Sequence, residues 1–473
     1  MVDVIKALED LGHKTISANY YNSIAAWRSW YAGDVKSFHH YSIKTGEKSI
    51  KAKRFSLGMA KKIAEDWANL LMNERVKITL EGEKEQAFVD NVFTENNFTV
   101  KINEMQELKS ALGTAAYIPR VTGQEMGADG AIAGTAEGIA IDYVTAEHIY
   151  PLAWANGEIY EAAFDSTVTV NGDEYIYLQI HTRGDTGYDI ENRIYKVYND
   201  QMTPVPLTEV RGYERIPAVV HTHSDKRQFV VDRPNIANNI DYSVPLGLSV
   251  YANAIDILKG VDIAYDSYVN EFILGKKRIM VKPSAATFLD GEPVFDPSDT
   301  AFYVLPEDIV DGAVITPLDF ALRTTEHNLG VQDQLNLLSA KCGMGEQHYK
   351  FDRGAIATAT QIISENSELF RTVKKHEIIL ESALIELCRI ILRLGNEAMN
   401  AGLDENVEIS IDFDDSIIED KATEYARDLQ MLSAGILNAW EFRSKWMNED
   451  EATAKAALPK IEELVTEGQS EIE

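Results

Sequence analysis

Ser243-Val-Pro-Leu-Gly-Leu-Ser-Val-Tyr-Ala-Asn-Ala-Ile-Asp-Ile-Leu-Lys-Gly-Val-Asp-Ile-Ala-Tyr-Asp-Ser-Tyr-Val-Asn-Glu-Phe-Ile-Leu274 is the stretch that decides how the chain is organised. Leu248, Tyr251, Ile255, Leu258, Tyr265, Val269 and Phe272 recur at helical spacing, which predicts a helix of about nine turns. Pro245 near its start and Gly275 just past its end are the expected terminal residues. Asp256, Asp262, Asp266 and Glu271 interleave with that stripe. The next segment, from Lys276 to Pro317, reads as strand and turn: Lys277-Arg-Ile-Met-Val-Lys282, Asp290-Gly291 and Ala301-Phe-Tyr-Val-Leu305. A returning helix over 319–341 carries Leu322, Leu329, Leu335 and Leu338. Helix, small β insert and returning helix predict a hairpin-like projection.

Outward from this projection the texture changes on both sides. C-terminally, a glycine-bounded break, Gly343-Met-Gly345 to Tyr349-Lys-Phe-Asp-Arg-Gly354, precedes a predicted helix over 357–400. That helix would be roughly 65 Å long, against a usual length of about 12 residues, so it must span several subdomains or pack against copies of itself. A strand, Val407-Glu-Ile-Ser-Ile-Asp-Phe413, follows, and then a helical tail over 423–465 anchored by Leu429, Leu432, Ile436, Trp440, Trp446 and Leu458. N-terminally, Tyr20, Ile24, Trp27 and Tyr31 predict a helix closed by Gly33. Met59, Ile63, Trp67, Leu70 and Leu71 predict another over 56–73. The basic run between them, Lys44, Lys48, Lys51, Lys53 and Arg54 opposed by Glu47, reads as a solvated loop, with a nucleic-acid contact as the alternative. Residues 76–232 read as strands, among them Val76-Lys-Ile-Thr-Leu80, Tyr175-Ile-Tyr-Leu-Gln-Ile180 and Arg193-Ile-Tyr-Lys-Val197. Short connections such as Asn171-Gly172-Asp173 predict antiparallel pairing. The fold class is α+β.

Composition narrows the function. The chain has 473 residues, 45 basic against 75 acidic, and a net charge of −30. Residues 401–473 hold 19 acidic and 6 basic residues, a net −13. Such a balance argues against a protein that coats nucleic acid, because coating gains affinity from basic surface. The longest run without an ionisable side chain other than Tyr, 242–255, falls short of the roughly 20 apolar residues a membrane span needs. Cys342 and Cys388 are too few for a disulfide framework and fit a reducing compartment.

No catalytic signature is present, and no cofactor or metal site is expected. There is no G-x-x-x-x-G-K-[ST] loop and no G-x-S-x-G elbow. Gly343-Met-Gly345 lacks a third glycine and reads as a hinge. His376-Glu377 is followed by Leu380 where a zinc-binding helix needs histidine. His221-Thr-His223-Ser-Asp225 could serve a metal-dependent hydrolase, but without a third spaced ligand it reads as a polar loop, as does His39-His40. Asp412, Asp414 and Asp415 read as a capping acidic turn. Each cysteine reads as a buried thiol. Two features stand out. One is the loop with Gln347, His348, Lys350 and Arg353, longer than the usual 2 to 8 residues between bundle helices. The other is Lys276-Lys277-Arg278 with Lys282, at the mouth of the β insert.

The order of these textures resembles the portal (head–tail connector) proteins of tailed bacteriophages, most closely those of long-tailed phages of Gram-positive bacteria. The resemblance is carried by Trp27-Arg-Ser-Trp-Tyr31-Ala-Gly33 with Phe38-His39-His40-Tyr41, and by Leu57-Gly-Met-Ala-Lys-Lys-Ile-Ala-Glu-Asp-Trp67 to Glu74. It continues through Gly247 to Asp262, Tyr265-Asp266, Glu271 to Ile279, Ala355-Ile-Ala-Thr-Ala-Thr-Gln-Ile362 to Ser367, and Ser433-Ala-Gly-Ile436 to Trp446. It implies a mainly helical portal fold: a wing over 1–240 together with the long spine helix 357–400, stem helices over 241–275 and 319–343, a clip over 276–318 with the small β insert, a tunnel loop over 344–356 and a crown over 401–473. It further implies a structural, non-enzymatic virion protein at one capsid vertex, present in the host cytoplasm during assembly. The partners implied are copies of itself, usually in a ring of twelve; double-stranded DNA in the channel; the terminase large subunit; major capsid and scaffolding proteins; and a head-completion adaptor. No membrane is involved. Gln347, His348, Lys350 and Arg353 would then lie near DNA, a placement resting on loop position and charge, and Lys276, Lys277, Arg278 and Lys282 would face a docking partner. The competing readings are another capsid or scaffolding component without a DNA channel, or the hydrolase built on His221, His223 and Asp225.

Overall fold

The apolar stripes near the N-terminus become buried helix faces. The computed structural model describes residues 2–45, 48–73, 75–123, 125–126, 132–133, 136–199, 201–275, 278–281, 288–289, 292–293, 302–304, 315–318, 321–350, 359–413, 421–447 and 449–458. Helices α1 (Val2–Asp10) and α2 (Ala18–Tyr31) come first. Ser17 starts α2, its hydroxyl accepting from the Asn19 amide at 3.3 Å, and Gly33 leaves it at φ +67°. Next come α3 (Lys36–His39), β1 (His40–Thr45), β2 (Lys48–Lys53) and α4 (Met59–Leu71). Met59, Ile63, Trp67 and Leu71 are buried on one side of α4. Gly58, at φ +71°, starts that helix three residues later than the periodicity predicts.

The basic run is not a loop. It folds into an antiparallel hairpin with Ile43 opposite Ile50 and His40 opposite Lys53. Tyr41, Ile43, Ile50 and Ala52 alternate with polar residues at period 2, a pattern the lysines obscure.

After β3 (Lys77–Leu80), α5 (Glu83–Glu95) and α6 (Phe98–Leu112) the chain turns to sheet: β4 (Ala115–Thr122), β5 (Glu125–Met126), β6 (Ile132–Ala133), β7 (Gly138–Thr145), β8 (Ile149–Ala155), β9 (Glu158–Val170), β10 (Asp173–Gly184), β11 (Gly187–Tyr198), β12 (Gln201–Val205), β13 (Val219–His221) and β14 (Val230–Asp232). The larger sheet runs β12-β11-β10-β9-β8, with β13 also on β11, and the smaller runs β14-β4-β7. Every pair in both is antiparallel, as the short connections predict. Asn156-Gly157 and Asn171-Gly172 close two of the hairpins with both residues at positive φ, the geometry that suits the strand twist.

Helix α6 is bolted to the smaller sheet by a fully buried polar node. Lys109 Nζ lies 3.2 Å from both Asp232 oxygens, and Gln106 Nε2 and Tyr117 OH donate to the same carboxylate at 2.7 and 3.0 Å.

Helix α7 (Ile255–Leu274) is shorter than its periodicity suggests. Residues 243–251 are not helical, and only a 3₁₀ turn, Ala252–Ala254, precedes α7. Their backbone groups find distant partners instead of neighbours four residues away. The Gly247 amide donates to Thr114 Oγ1 at 2.9 Å, the Val250 amide donates to the Ser110 carbonyl at 2.9 Å, and the Gly247 carbonyl accepts from Tyr20 OH at 2.9 Å. Leu246, Leu248 and Tyr251 are buried there. The segment is apolar because tertiary structure surrounds it.

The β insert holds β15 (Arg278–Val281), β16 (Phe288–Leu289), β17 (Glu292–Pro293), β18 (Phe302–Val304) and β19 (Ile315–Leu318). β15 is central, parallel to β18 and antiparallel to β19. Then come α8 (Thr324–Lys341), α9 (Ala359–Met399) and β20 (Ile409–Asp412), which pairs antiparallel with β3. At 41 residues α9 matches the long helix read from the sequence.

The chain divides into two compact units, 1–356 with 371–413, and 357–370 with 414–473. The second contains α10 (Lys421–Ser433), α11 (Ala439–Met447) and α12 (Glu451–Ala456). Its α10 and α11 are joined through Asp428, which accepts from Lys445 Nζ at 2.7 Å and Trp446 Nε1 at 3.2 Å, beside the clustered rings of Tyr425, Phe442 and Trp446. No described helix is long and apolar enough to cross a membrane.

Candidate functional site

The interleaved acids of α7 become anchors. Asp262, buried at the middle of the helix, accepts from the Leu57 amide at 2.8 Å, from Ser56 Oγ at 3.0 Å and from His39 Nε2 at 2.9 Å. The Val35 amide donates to His39 Nδ1 at 2.8 Å, which leaves Nε2 as the protonated nitrogen facing Asp262. Asp266 accepts from the Phe55 amide at 2.9 Å. His39 is therefore a core tether and not part of a polar loop; His40 alone lies outside, 2.7 Å from Asp34.

Helices α7 and α8 lie side by side in opposite directions. Near the exit of α7, Glu271 accepts from Arg323 Nε at 3.1 Å and Nη2 at 2.8 Å, with His327 Nε2 at 3.4 Å. Arg323 holds the Glu271 carboxyl down at about 2. Farther along, Gly260 faces the Gln334 side chain, whose Oε1 would lie 2.4 Å from a Cβ at that position and would have to swing aside for a larger residue. This clamp is the base from which the β insert departs. Of the candidate docking residues there, Lys276, Lys277 and Lys282 lie outside the described residues, and Arg278 opens β15.

The loop after α8 is set by two glycines at positive φ, Gly343 (+77°) and Gly345 (+84°). Ser339 Oγ donates to the Gly345 carbonyl, and Met344 is buried. Beyond them the candidate residues separate. Lys350 Nζ donates to Gln347 Oε1 at 3.1 Å, and both side chains are exposed. His348 instead turns toward α4, with Nε2 3.6 Å from Asp66 Oδ2, the oxygen to which Tyr349 OH donates at 3.0 Å. Burial raises the Asp66 pKa, but hydrogen bonds from His348, Lys62 and Tyr349 outweigh it and hold the carboxyl below its ordinary range. Burial, with Asp66 adding to it, pushes the Tyr349 phenol well above its ordinary value. The first half of the loop is thus pinned to α4, leaving Gln347 and Lys350 outward. Arg353 lies outside the described residues.

The remaining motifs resolve into structural roles. His221 Nδ1 sits 2.7 Å from Asp189 Oδ1, while the His221 and His223 ring centroids are 6.4 Å apart. His223, at φ +52°, lines a cleft with Ser224, Asp225, Arg393 and Glu397. Among the described residues no three His, Cys, Asp or Glu are grouped to hold a metal ion. His376 is buried, accepts from the Asn235 amide at 2.9 Å and is pushed down to about 3 by burial. Burial pushes both cysteine thiols up to about 12. Asp412 belongs to β20, and Asp414 and Asp415 lie outside the described residues.

Sequence reasoning did not single out Asp66 or the anchoring roles of Asp262 and Asp266. An acid on an amphipathic helix looks the same whether it faces water or a distant backbone amide.

This is a scaffold of tethered helices and sheets with an antiparallel helix pair, α7 and α8, flanking a β insert. The family model described as "Phage portal protein, SPP1 Gp6-like" matches residues 13–471, nearly the whole chain. No curated protein matches it in sequence. Coverage of that extent, over the α7–α8 pair, the pinned loop and the long helix alike, makes this chain a member of the SPP1-type phage portal protein family.

Proposed function

We propose that twelve copies form a ring around a double-stranded DNA channel at one capsid vertex. Residues 241–275 and 319–343 serve as stem, 276–318 as clip, 344–356 as tunnel loop, 1–240 with 357–400 as wing, and 401–473 as crown. The genome enters through this conduit under the terminase large subunit and leaves through it later. Capsid and scaffolding proteins contact the wing, and the terminase and then the head-completion adaptor contact the clip, with Lys276, Lys277, Arg278 and Lys282 at its mouth.

The observation that carries the reading is the family match over residues 13–471. A second supports it. Ile263, Phe272 and Leu274 on α7 and Leu329 and Leu337 on α8 are exposed in the single chain. Head-to-tail contacts between copies would cover them, and such heterologous interfaces close into rings. We expect mass photometry and negative-stain microscopy of the purified protein to find closed rings of twelve subunits. A monomer or an open filament under every assembly condition would defeat the proposal.

The net charge suits a conduit better than a grip. Strong phosphate neutralisation would add affinity at each step and make the duplex stick, whereas a wall of net negative charge keeps friction low. Against that wall the few cations of the tunnel loop stand out. Lys350→Ala with Arg353→Ala is expected to reduce the number of DNA-filled heads roughly tenfold, as removal of two phosphate contacts would, while rings still form. Normal packaging by this double variant, measured as nuclease-protected DNA, would remove both residues from the channel.

A further inference from the structure

The hairpin β1–β2 gathers lysine and serine on one face. Its register places Ser42 opposite Lys51 and Lys44 opposite Ser49, all four on the same side, while Tyr41, Ile43 and Ile50 take the other. These four side chains are exposed. His40 and Lys53 continue the polar face toward the base. Asp34 stands at that base and is already shared by Lys36, His40 and Lys53. Lys44 and Lys51 pair with no acid among the described residues. Residues 35–54 carry six Lys and Arg in a chain whose net charge is −30. Their one acid, Glu47, lies outside the described residues.

The composition of this face selects its partner. Protein interfaces bury an apolar, often aromatic centre from which lysine is depleted. The middle of this face holds only lysine and serine, side chains that contact phosphate oxygens. A two-stranded ribbon is also narrow enough to enter a DNA groove. The acidity of the whole chain does not forbid the contact. Strands of six residues are about 20 Å long, and charges at an exposed surface are screened beyond about 10 Å at 0.1 M salt. On the opposite face Ile43 and Ile50 are 47% and 56% exposed. Solvent therefore reaches both sides of the hairpin around the two lysines and screens them from acids elsewhere.

We propose that the face formed by Ser42, Lys44, Ser49 and Lys51 contacts the phosphate backbone of double-stranded DNA without reading its sequence. The two ammonium groups neutralise phosphates, and the two hydroxyls donate to phosphate oxygens. The contact is separate from the tunnel loop over 344–356, and it rests on the portal reading above for the DNA it meets. With two unpaired lysines per copy it supplies a weak, salt-sensitive hold that a moving duplex can leave.

The test follows binding of a short fluorescent DNA duplex to the full-length protein by anisotropy, from about 50 to 200 mM salt. Lys44→Gln with Lys51→Gln is expected to weaken binding roughly tenfold and to lower the salt slope by about two, equally for duplexes of unrelated sequence. Both positions are exposed, so the wild-type melting temperature is expected to persist. Lys44→Arg with Lys51→Arg should keep the wild-type slope. Lys6→Gln with Lys14→Gln, which removes two exposed lysines outside the hairpin, should keep it too. Wild-type affinity and slope in the Lys44 and Lys51 glutamine variant would overturn the proposal, as would an equal loss in the Lys6 and Lys14 control. A defect confined to incorporation into capsids, with duplex binding unchanged, would assign the face to an acidic protein partner and overturn it as well. Protein that forms no ring yet loses duplex binding in the hairpin variant would remove the ring reading and uphold this contact.

Discussion

Replacing Lys109 by Ala is expected to destabilise the first unit by about 3–5 kcal/mol, the usual cost of leaving one member of a buried ion pair alone. The Lys109 and Asp232 side chains are 1% and 0% exposed, with Nζ 3.2 Å from the carboxylate. Burial lowers the Lys109 pKa, and the attraction of Asp232 offsets only part of that. Without the lysine, the carboxylate keeps Gln106 and Tyr117 as donors but has no compensating charge in a site closed to water. Such a group is costly because solvent can no longer screen it. Lys109→Met combined with Asp232→Asn removes both charges and keeps an acceptor for Gln106 and Tyr117. The double variant should recover much of the loss. Denaturant unfolding followed by tryptophan fluorescence measures both. If the single variant proved as stable as wild type, the node would not be holding α6 to β4 and β14.

The second large effect is expected at Gly247. A Cβ there would lie 2.3 Å from the Gly113 carbonyl oxygen and 2.8 Å from Arg233 Cβ. Gly113 has the converse constraint: at φ +89°, its own Cβ would fall 2.4 Å from the Gly247 carbonyl oxygen. Two backbones touch here, and neither can give way as a flexible side chain would. Gly247→Ala should therefore cost about 3 kcal/mol or more, the upper end for overpacking. It should also loosen residues 243–251, whose hydrogen bonds to Tyr20, Thr114, Ser110 and Arg233 depend on this approach. Limited proteolysis should then cut within that segment, and ring formation should fall because α7 starts from it. Gly330→Ala is the matched control. Its Cβ meets nothing within 4 Å on helix α8, so it should be neutral or stabilising by up to about 1 kcal/mol. Equal loss of stability in the two variants would mean that the Gly113–Gly247 contact carries no special constraint.

Both sites bear on the conduit through the same route. Residues 243–251 lead into α7, and Asp262 and Asp266 tie α7 to residues 55–57, next to the hairpin base. A disturbance at Gly247 is therefore expected to reach the α7–α8 pair and residues 55–57 together.

Elements with local periodicity were legible in the sequence. Met59, Ile63, Trp67 and Leu71 announced α4, the stripe from Leu369 to Leu394 announced α9, and the short turn at Asn171-Gly172 announced antiparallel pairing. A period is visible when one face of an element is dry and the other wet. Residues 243–251 misled for the converse reason. Their apolar side chains are surrounded by the fold, and their backbone bonds to partners 133 and 227 positions away. The candidate loop divided similarly. Its glycines and charges were readable, but the turn of His348 toward Asp66 joins residues 282 positions apart.

By itself the sequence determined the α+β class, a helix on either side of a β insert, the long helix and the want of any recognised catalytic motif. Those features depend on local spacing and residue chemistry, and the ordered textures carried the family likeness. Only the tertiary structure decided where α7 begins, that the basic run is a two-faced hairpin, that His39 and the α7 acids are tethers, and that Lys109 is buried on Asp232. Each of these depends on which distant backbone or carboxylate a group meets once water is excluded, and one-dimensional spacing does not encode that meeting.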